Sequence, residues 1–175
     1  NPLLEGRLSR YPGFIPLALK PEFHDLGQDA DFTNLRVRQG TLKELLEHPK
    51  VQTITQNPEL VQLVWDTLTT NLKDLQSFLE NGKSAKYDPE RILGRWLFDV
   101  NGTLAAFRRT RANVPQPELL RFRKLLNDRF TKATLVASPD NQVVIQNLPA
   151  LPAEGLQTLE GKWGKLGDEY DVSLS

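Results

Sequence analysis

The feature that most constrains the fold is a change of hydrophobic period close to Asp88. Between residues 60 and 79, apolar side chains recur with the period of about 3.6 residues that is typical of a helix. After Asp88, short apolar runs rich in β-branched residues are separated by turn residues. A chain that is helical first and strand-rich afterwards predicts an α+β fold, with an N-terminal helical subdomain followed by a small antiparallel sheet with one amphipathic helix.

The helical part contains clear start and stop signals. Thr41 and Glu44 have the spacing of a capping box, in which each side chain accepts a hydrogen bond from a free backbone amide. Asn57 followed by Pro58 is typical of a helix start, because a proline at the first helical position loses no hydrogen bond. Gly82 is suited to end the last helix. These signals predict helices at 42–47, 49–56 and 58–81.

One broad arc of the last predicted helix is apolar. At about 100° per residue the arc contains Leu60, Val61, Val64, Trp65, Leu68, Leu72, Leu75 and Leu79. An arc of this width is typical of a helix that is buried in the protein's own core. The alternative is an open groove that binds an apolar helix or a lipid. Its ligand-binding residues would be Val61, Trp65, Leu68 and Leu72.

The second half of the chain has strand signals on both sides of one amphipathic helix, which is predicted at 117–130. Residues 92–100 resemble a strand, and the runs flanking the turn at 138–141 predict a hairpin. Two further strands are predicted near 158–163 and 169–175. We therefore expect an ordered arm (1–40), a helical subdomain (41–87), a β-α-β-β unit (88–147), a linker (148–157) and the truncated start of a second β unit (158–175).

A short motif recurs in the two halves of the strand-rich region. Gly94-Arg95-Trp96 is echoed by Gly161-Lys162-Trp163. Glycine admits a close backbone, and a large ring can cover the end of a small sheet. The motif therefore predicts that both tryptophans are structural plugs.

Composition gives little support to an enzyme. The chain has no cysteine, and His24 and His48 lie far apart in the sequence, so we expect no catalytic residues, no metal and no cofactor. Asp25, Asp29 and Asp99 leave a carboxylate-dependent hydrolase as an alternative, which needs two carboxylates facing one cleft. Lysine plus arginine equals aspartate plus glutamate, with 22 residues of each class, so overall charge predicts no nucleic-acid partner.

Basic residues are concentrated between positions 108 and 132. Those that would contact an anionic surface such as a lipid are Arg108, Arg109, Arg121 and Lys124. Few aromatic residues are interleaved with them, which disfavours nucleic acid. The simpler interpretation is a solvated helix face that pairs with the acidic C-terminal strands.

Two family resemblances add to these inferences. The His48-Pro49 and Asn57-Pro58 starts within residues 48–80 resemble the Asp-Pro helical repeats of co-chaperones and ubiquilin-type proteins. This resemblance implies short helices around a groove for apolar client helices. A second resemblance covers a longer stretch, and its motifs are Pro49-Lys50-Val51-Gln52, Lys83-Ser84-Ala85-Lys86-Tyr87-Asp88, Ile92-Leu93-Gly94-Arg95-Trp96 and Thr134-Leu135-Val136-Ala137-Ser138-Pro139-Asp140-Asn141. In these motifs the chain resembles the soluble C-terminal extension of some bacterial colicin V production (CvpA-type) membrane proteins.

The CvpA-type resemblance implies an accessory domain tethered to a membrane and linked to export or envelope processes. Together the observations predict a non-enzymatic binding or accessory module, the soluble part of a membrane-anchored bacterial protein. Its location would be membrane-associated or extracytoplasmic. Its partner would be an apolar peptide helix, a lipid or another envelope protein, and not nucleic acid.

Overall fold

The computed structural model describes residues 2–111, 113–150 and 155–174. The chain divides into two compact units, Asn1–Arg91 and Ile92–Ser175. The first unit is helical and the second contains an antiparallel sheet, so the predicted α+β class is confirmed. The boundary between the units falls a few residues after the one expected at 87–88.

The helical unit consists of short helices followed by one long helix. In chain order these are α1 (Pro2–Leu8), a 3-10 turn (Pro12–Phe14), α2 (Ile15–Ala18), α3 (Pro21–Gly27), α4 (Ala30–Val37), α5 (Leu42–Glu47), α6 (Pro49–Thr55) and α7 (Pro58–Asn81).

The predicted bounds of the last three helices agree with the structure to within a residue. Thr41 and Glu44 form the predicted capping box at the start of α5. The Asn57 side chain accepts hydrogen bonds from two backbone amides at the start of α7. Gly82 ends that helix with a φ of 76°, a left-handed conformation that glycine adopts without strain. These signals act within one helical turn, which is why the sequence locates them well.

Most of the segment expected to form an ordered arm (1–40) is helical, although the sequence showed no sustained period there. Its helices are four to eight residues long, too short for a repeating apolar period to become visible. Pro12, Pro16 and Pro21 each lie at the first or second position of a helical segment. They carry the same start signal that identifies α6 and α7.

The second unit combines two helices with a sheet. Its elements are β1 (Gly94–Leu97), α8 (Val100–Thr110), α9 (Gln116–Phe130), β2 (Thr134–Ala137), β3 (Gln142–Pro149), β4 (Leu156–Leu166) and β5 (Glu169–Leu174). Each strand pairs with the next in the chain, and all pairs are antiparallel.

Three expectations for this unit need correction. Residues 92–100 are not one strand, because β1 ends at Leu97 and Asp99 caps a second helix, α8, through the amide of Gly102. The predicted linker at 148–157 overlaps the ends of β3 and β4, although residues 151–154 lie outside the described part of the chain. Residues 158–175 do not begin another β unit, since β4 and β5 extend the same sheet.

The core of this unit forms around Ala137, Val143 and Trp163. The indole nitrogen of Trp163 donates a hydrogen bond of 2.8 Å to the carbonyl of Ser138, so the ring is both buried and satisfied. Trp96 differs, because half of it is exposed and its indole donates to the carbonyl of Ile92. Of the two predicted plugs, only Trp163 belongs to this core.

Candidate functional site

An open apolar groove in the helical unit is the candidate site. It has a volume of about 460 Å³, within the range of roughly 300–1,000 Å³ that is usual for ligand pockets. Side chains from α3 to α7 line it: Phe23, Leu26, Phe32, Leu45, Leu46, Val51, Ile54, Thr55, Val61, Val64 and Trp65. None of these side chains carries a titratable group, so the groove offers contact area and no group for proton transfer.

The structure places two of the four predicted groove residues in the lining, namely Val61 and Trp65. Trp65 is 64% exposed and Val61 is 45% exposed, so both present apolar surface to solvent. Leu68 is half-buried and Leu72 is 62% exposed, but neither lines this groove. The candidate site therefore lies at the N-terminal half of α7.

Sequence reasoning missed the contribution of α3 and α4 to this groove. Phe23 and Leu26 are three residues apart on α3, and Phe32 follows on α4. The i, i+3 spacing is a weak helical signal that could have marked the first two as neighbours on one face. The expectation of an arm at 1–40 did not include a helix at these two residues.

The segment that supplies the groove lining contains more acidic than basic residues. Residues 21–66 contain eight acidic residues, Glu22, Asp25, Asp29, Asp31, Glu44, Glu47, Glu59 and Asp66, against the four basic residues Arg36, Arg38, Lys43 and Lys50. Three of the four basic side chains form ion pairs with acidic ones of the same segment, at 2.7 Å for Arg38–Glu44, 3.7 Å for Lys43–Glu47 and 3.0 Å for Lys50–Asp29. The uncompensated charge of this segment is therefore acidic.

The predicted hydrolase residues have other roles in the structure. Asp29 caps α4 by accepting a 2.9 Å hydrogen bond from the amide of Phe32, and it also contacts Lys50 and the Nε2 atom of His48 at 3.0 and 3.3 Å. The backbone hydrogen bond, followed by the contact with Lys50, lowers the pKa of Asp29 to about 2. Asp25 is largely exposed. A carboxylate held ionised in this way serves as a helix cap and joins α4 to α6.

Asp99, the third candidate, caps α8 in the other unit. Among the described residues, no group of three or more His, Cys, Asp or Glu side chains is placed to hold a metal ion. None of the helices in the described ranges is both long and apolar enough to cross a membrane.

A buried polar network lies under the C-terminal half of α7. Asp74 accepts hydrogen bonds from the Tyr11 hydroxyl at 2.8 Å, the Ser84 hydroxyl at 2.6 Å and the amide of Lys86 at 3.1 Å. Burial, the largest influence, would raise the pKa of Asp74, but these three hydrogen bonds lower it below its usual value. Burial and the adjacent carboxylate raise the pKa of Tyr11 well above that of a free phenol. The network fixes the chain on both sides of α7.

The predicted basic residues lie on α8 and α9 in the second unit. Arg108, Arg109, Arg121 and Lys124 form no ion pair with another residue in the described ranges, so the expected pairing with the acidic C-terminal strands does not occur there. Arg108 borders a cavity that lies between the two helices.

Comparison with known proteins found no matching family model, no similar curated protein and no similar solved structure.

Proposed function

We propose that this chain is a binding module whose helical unit accepts the apolar face of a basic, amphipathic peptide helix in the groove. The exposure of Trp65 at the groove is the observation that carries the proposal. An aromatic side chain buries about 150–250 Å² when fully covered. Covering the 64% of Trp65 that is exposed would remove about 130 Å² from water, which corresponds to about 3 kcal/mol.

A helix suits this groove because the lining comes from several helices and is apolar throughout. Leu46 on α5 is 50% exposed and faces the same groove as Val61 and Trp65 on α7. A bound helix can place side chains spaced i, i+3, i+4 and i+7 into such a surface. Exposed aromatic residues in a pocket are typical anchors of an interface.

The acidic composition of the segment that lines the groove favours a partner with lysine or arginine beside its apolar face. Opposite charges at the rim of an interface increase the association rate and suppress like-charged partners. A fatty acid or an anionic lipid would bring a negative head group towards the uncompensated carboxylates. The charge of the segment 21–66 thus supports a basic peptide over these alternatives.

The test uses two synthetic helical peptides of 14 residues with leucine at i, i+3, i+4 and i+7. One carries lysine at the flanking positions and the other carries glutamate. Binding of each labelled peptide to the full chain is measured by fluorescence anisotropy. We expect the lysine peptide to bind at least ten-fold more tightly than the glutamate peptide, and its advantage to shrink as salt is added.

A pair of variants tests the location. Trp65→Ser should weaken binding of the lysine peptide by roughly 30-fold or more, because it removes about 2–3 kcal/mol of apolar contact. Leu72→Ser is the matched control, since Leu72 is equally exposed on the same helix but does not line the groove. Equal losses in the two variants, or no preference between the peptides, would refute the proposal.

Tethering to a membrane, which the CvpA-type resemblance implies, stays a prediction. In that setting the bound helix would belong to another envelope protein. A membrane-spanning segment encoded by the same gene would support it, and localisation of the native protein by cell fractionation tests it directly.

A further inference from the structure

Basic side chains are concentrated on the outside of α8 and α9 and in the short segments that follow these helices. Between positions 100 and 132 the chain has eight basic residues against two acidic ones, Glu118 and Asp128. All eight basic side chains are exposed, and none forms an ion pair with another residue in the described ranges. The eight are Arg108, Arg109, Arg111, Arg121, Arg123, Lys124, Arg129 and Lys132.

The lack of internal counter-charges distinguishes these helices from the helical unit, where three of the four basic side chains of the segment 21–66 form ion pairs. Like charges repel one another, and an anionic partner relieves that repulsion. Because the cations are spread over two helices, a small anion would reach only a few of them. An extended anionic surface can approach many of them at once, so the distribution of charge favours a surface over a small ligand.

One face of α9 places apolar side chains beside these cations. Leu120 is 58% exposed and Leu125 is 46% exposed. At about 100° per residue, an arc of about 140° on this helix contains, in order, Leu120, Lys124, Arg121 and Leu125. Asp128 is exposed on the same arc and offsets part of its positive charge. Cationic side chains next to exposed apolar ones are typical of helices that lie in the interface of a membrane.

The aromatic side chains of these two helices are not free to stack on nucleic-acid bases. Phe107 and Phe122 are half-buried and pack against each other with ring centroids 4.6 Å apart. Phe130 is also half-buried, and its ring centroid lies 5.2 Å from that of Phe98. Proteins that bind single-stranded nucleic acid combine cations with aromatic rings on which the bases stack. Exposed leucines in place of exposed rings favour a lipid surface over nucleic acid.

We infer that α8 and α9 bind the surface of an anionic lipid membrane through this arc of α9. Arg121 and Lys124 interact with the lipid phosphates, and Leu120 and Leu125 insert beside them into the head-group region. The methylene groups of the two cations stay near the apolar boundary while their charged ends reach the phosphates. The other basic side chains of the two helices add electrostatic attraction to the same surface. This contact lies in the second unit and does not involve the groove of the helical unit.

The test measures sedimentation of the full chain with vesicles of two compositions. One set contains phosphatidylcholine alone, and the other contains phosphatidylcholine mixed with the anionic lipid phosphatidylglycerol. We expect the chain to bind the mixed vesicles and to leave the neutral ones largely unbound. Binding should weaken as salt is added, because exposed charges are screened over about 8 Å at physiological ionic strength.

Charge variants test the location of the contact. A basic residue near an anionic membrane strengthens binding about five-fold, so Arg121→Gln/Lys124→Gln should weaken binding to mixed vesicles about 25-fold. Asp128→Asn removes the acidic group from the same arc and should strengthen binding about five-fold, a gain that misfolding would not produce. The matched control Lys20→Gln/Lys73→Gln removes two exposed charges from the helical unit and should change binding less than about two-fold.

A last comparison separates a lipid surface from nucleic acid. Leu120→Ser should weaken vesicle binding about five-fold or more, because the leucine no longer inserts into the head-group region. Equal losses in the two double variants, equal binding of neutral and mixed vesicles, or no gain in Asp128→Asn would overturn the inference. A duplex oligonucleotide that displaces the chain from mixed vesicles at equal phosphate concentration would assign the face to nucleic acid and would also overturn it.

Discussion

Replacing Asp74 with alanine should destabilise the helical unit more than any surface change on α7. The variant leaves the hydroxyl groups of Tyr11 and Ser84 without their acceptor, and these residues are 1% and 0% exposed. A buried donor left without a partner costs about 1–3 kcal/mol. Two such donors give about 4 kcal/mol, a large share of the stability of about 5–15 kcal/mol typical of a domain.

The effect of Asp74 should also depend on pH in a defined direction. The pKa of Asp74 is lowered in the folded state, so its stabilising contribution is present above the unfolded value of about 3.9. The contribution is lost as the pH falls through the lower, folded value, where the carboxylate becomes protonated. The difference in free energy of unfolding between the wild type and Asp74→Asn should therefore be largest near neutral pH and shrink below about pH 4.

Urea unfolding followed by circular dichroism at 222 nm measures both effects, since the first unit is helical. Asp66→Ala is the matched control on the same helix, because Asp66 is exposed and its carboxylate accepts a hydrogen bond from the exposed side chain of Gln62. It should cost less than about 0.5 kcal/mol. If Asp74→Ala costs no more than this control, or if the Asn variant keeps a constant difference at all pH values, the reasoning fails.

Two further substitutions test the sheet and the helix caps. Gly161→Ala should destabilise the sheet by about 2 kcal/mol or more in thermal unfolding, because the added Cβ would overlap the carbonyl oxygen of Ser173. Gly164→Ala on the same strand is the control, since its Cβ would meet no atom and should change the stability little. Equal effects of the two variants would contradict the strand register. The ionised Asp29 carboxylate stabilises the folded state above its unfolded pKa of about 3.9, and this stabilisation is lost as the pH falls through the folded pKa of about 2. Asp29→Asn removes this titrating group, so the free energy of unfolding should fall less steeply between about pH 4 and pH 2 than in the wild type. An acid unfolding profile that overlays the wild type would show that this cap is not stabilising.

The sequence predicts the starts and ends of α5, α6 and α7 because their signals are local. A capping side chain or a proline acts within one turn, so neither depends on distant residues. The α8 helix escaped prediction for a related reason. Asp99 lies two residues after the end of β1, and the sequence of this stretch does not distinguish a helix cap at Asp99 from the continuation of a longer strand.

Tertiary environment is harder to predict than local structure, as the two Gly-x-Trp motifs demonstrate. Gly94 opens β1 with a φ of 123°, and Trp96 on this first strand of the sheet stays half exposed. Gly161 lies inside β4, which pairs with strands on both sides, and there Trp163 is buried. The same three-residue pattern has two environments because the position of its strand in the sheet is set by distant pairing.

The apolar arc of α7 shows that a single helix can contribute residues both to the core and to an exposed groove. Leu60 and Leu75 are 7% exposed, so part of the arc is covered by the short helices of the same unit. Trp65, between them in the sequence, is 64% exposed because the helices that approach α7 leave the flank of the arc uncovered. A periodic pattern reports which residues share a face, whereas the width of that face decides how much remains for a partner. The arc of α7 is wide enough for one part to be buried in the core and another part to stay exposed, and the exposed part coincides with the candidate groove.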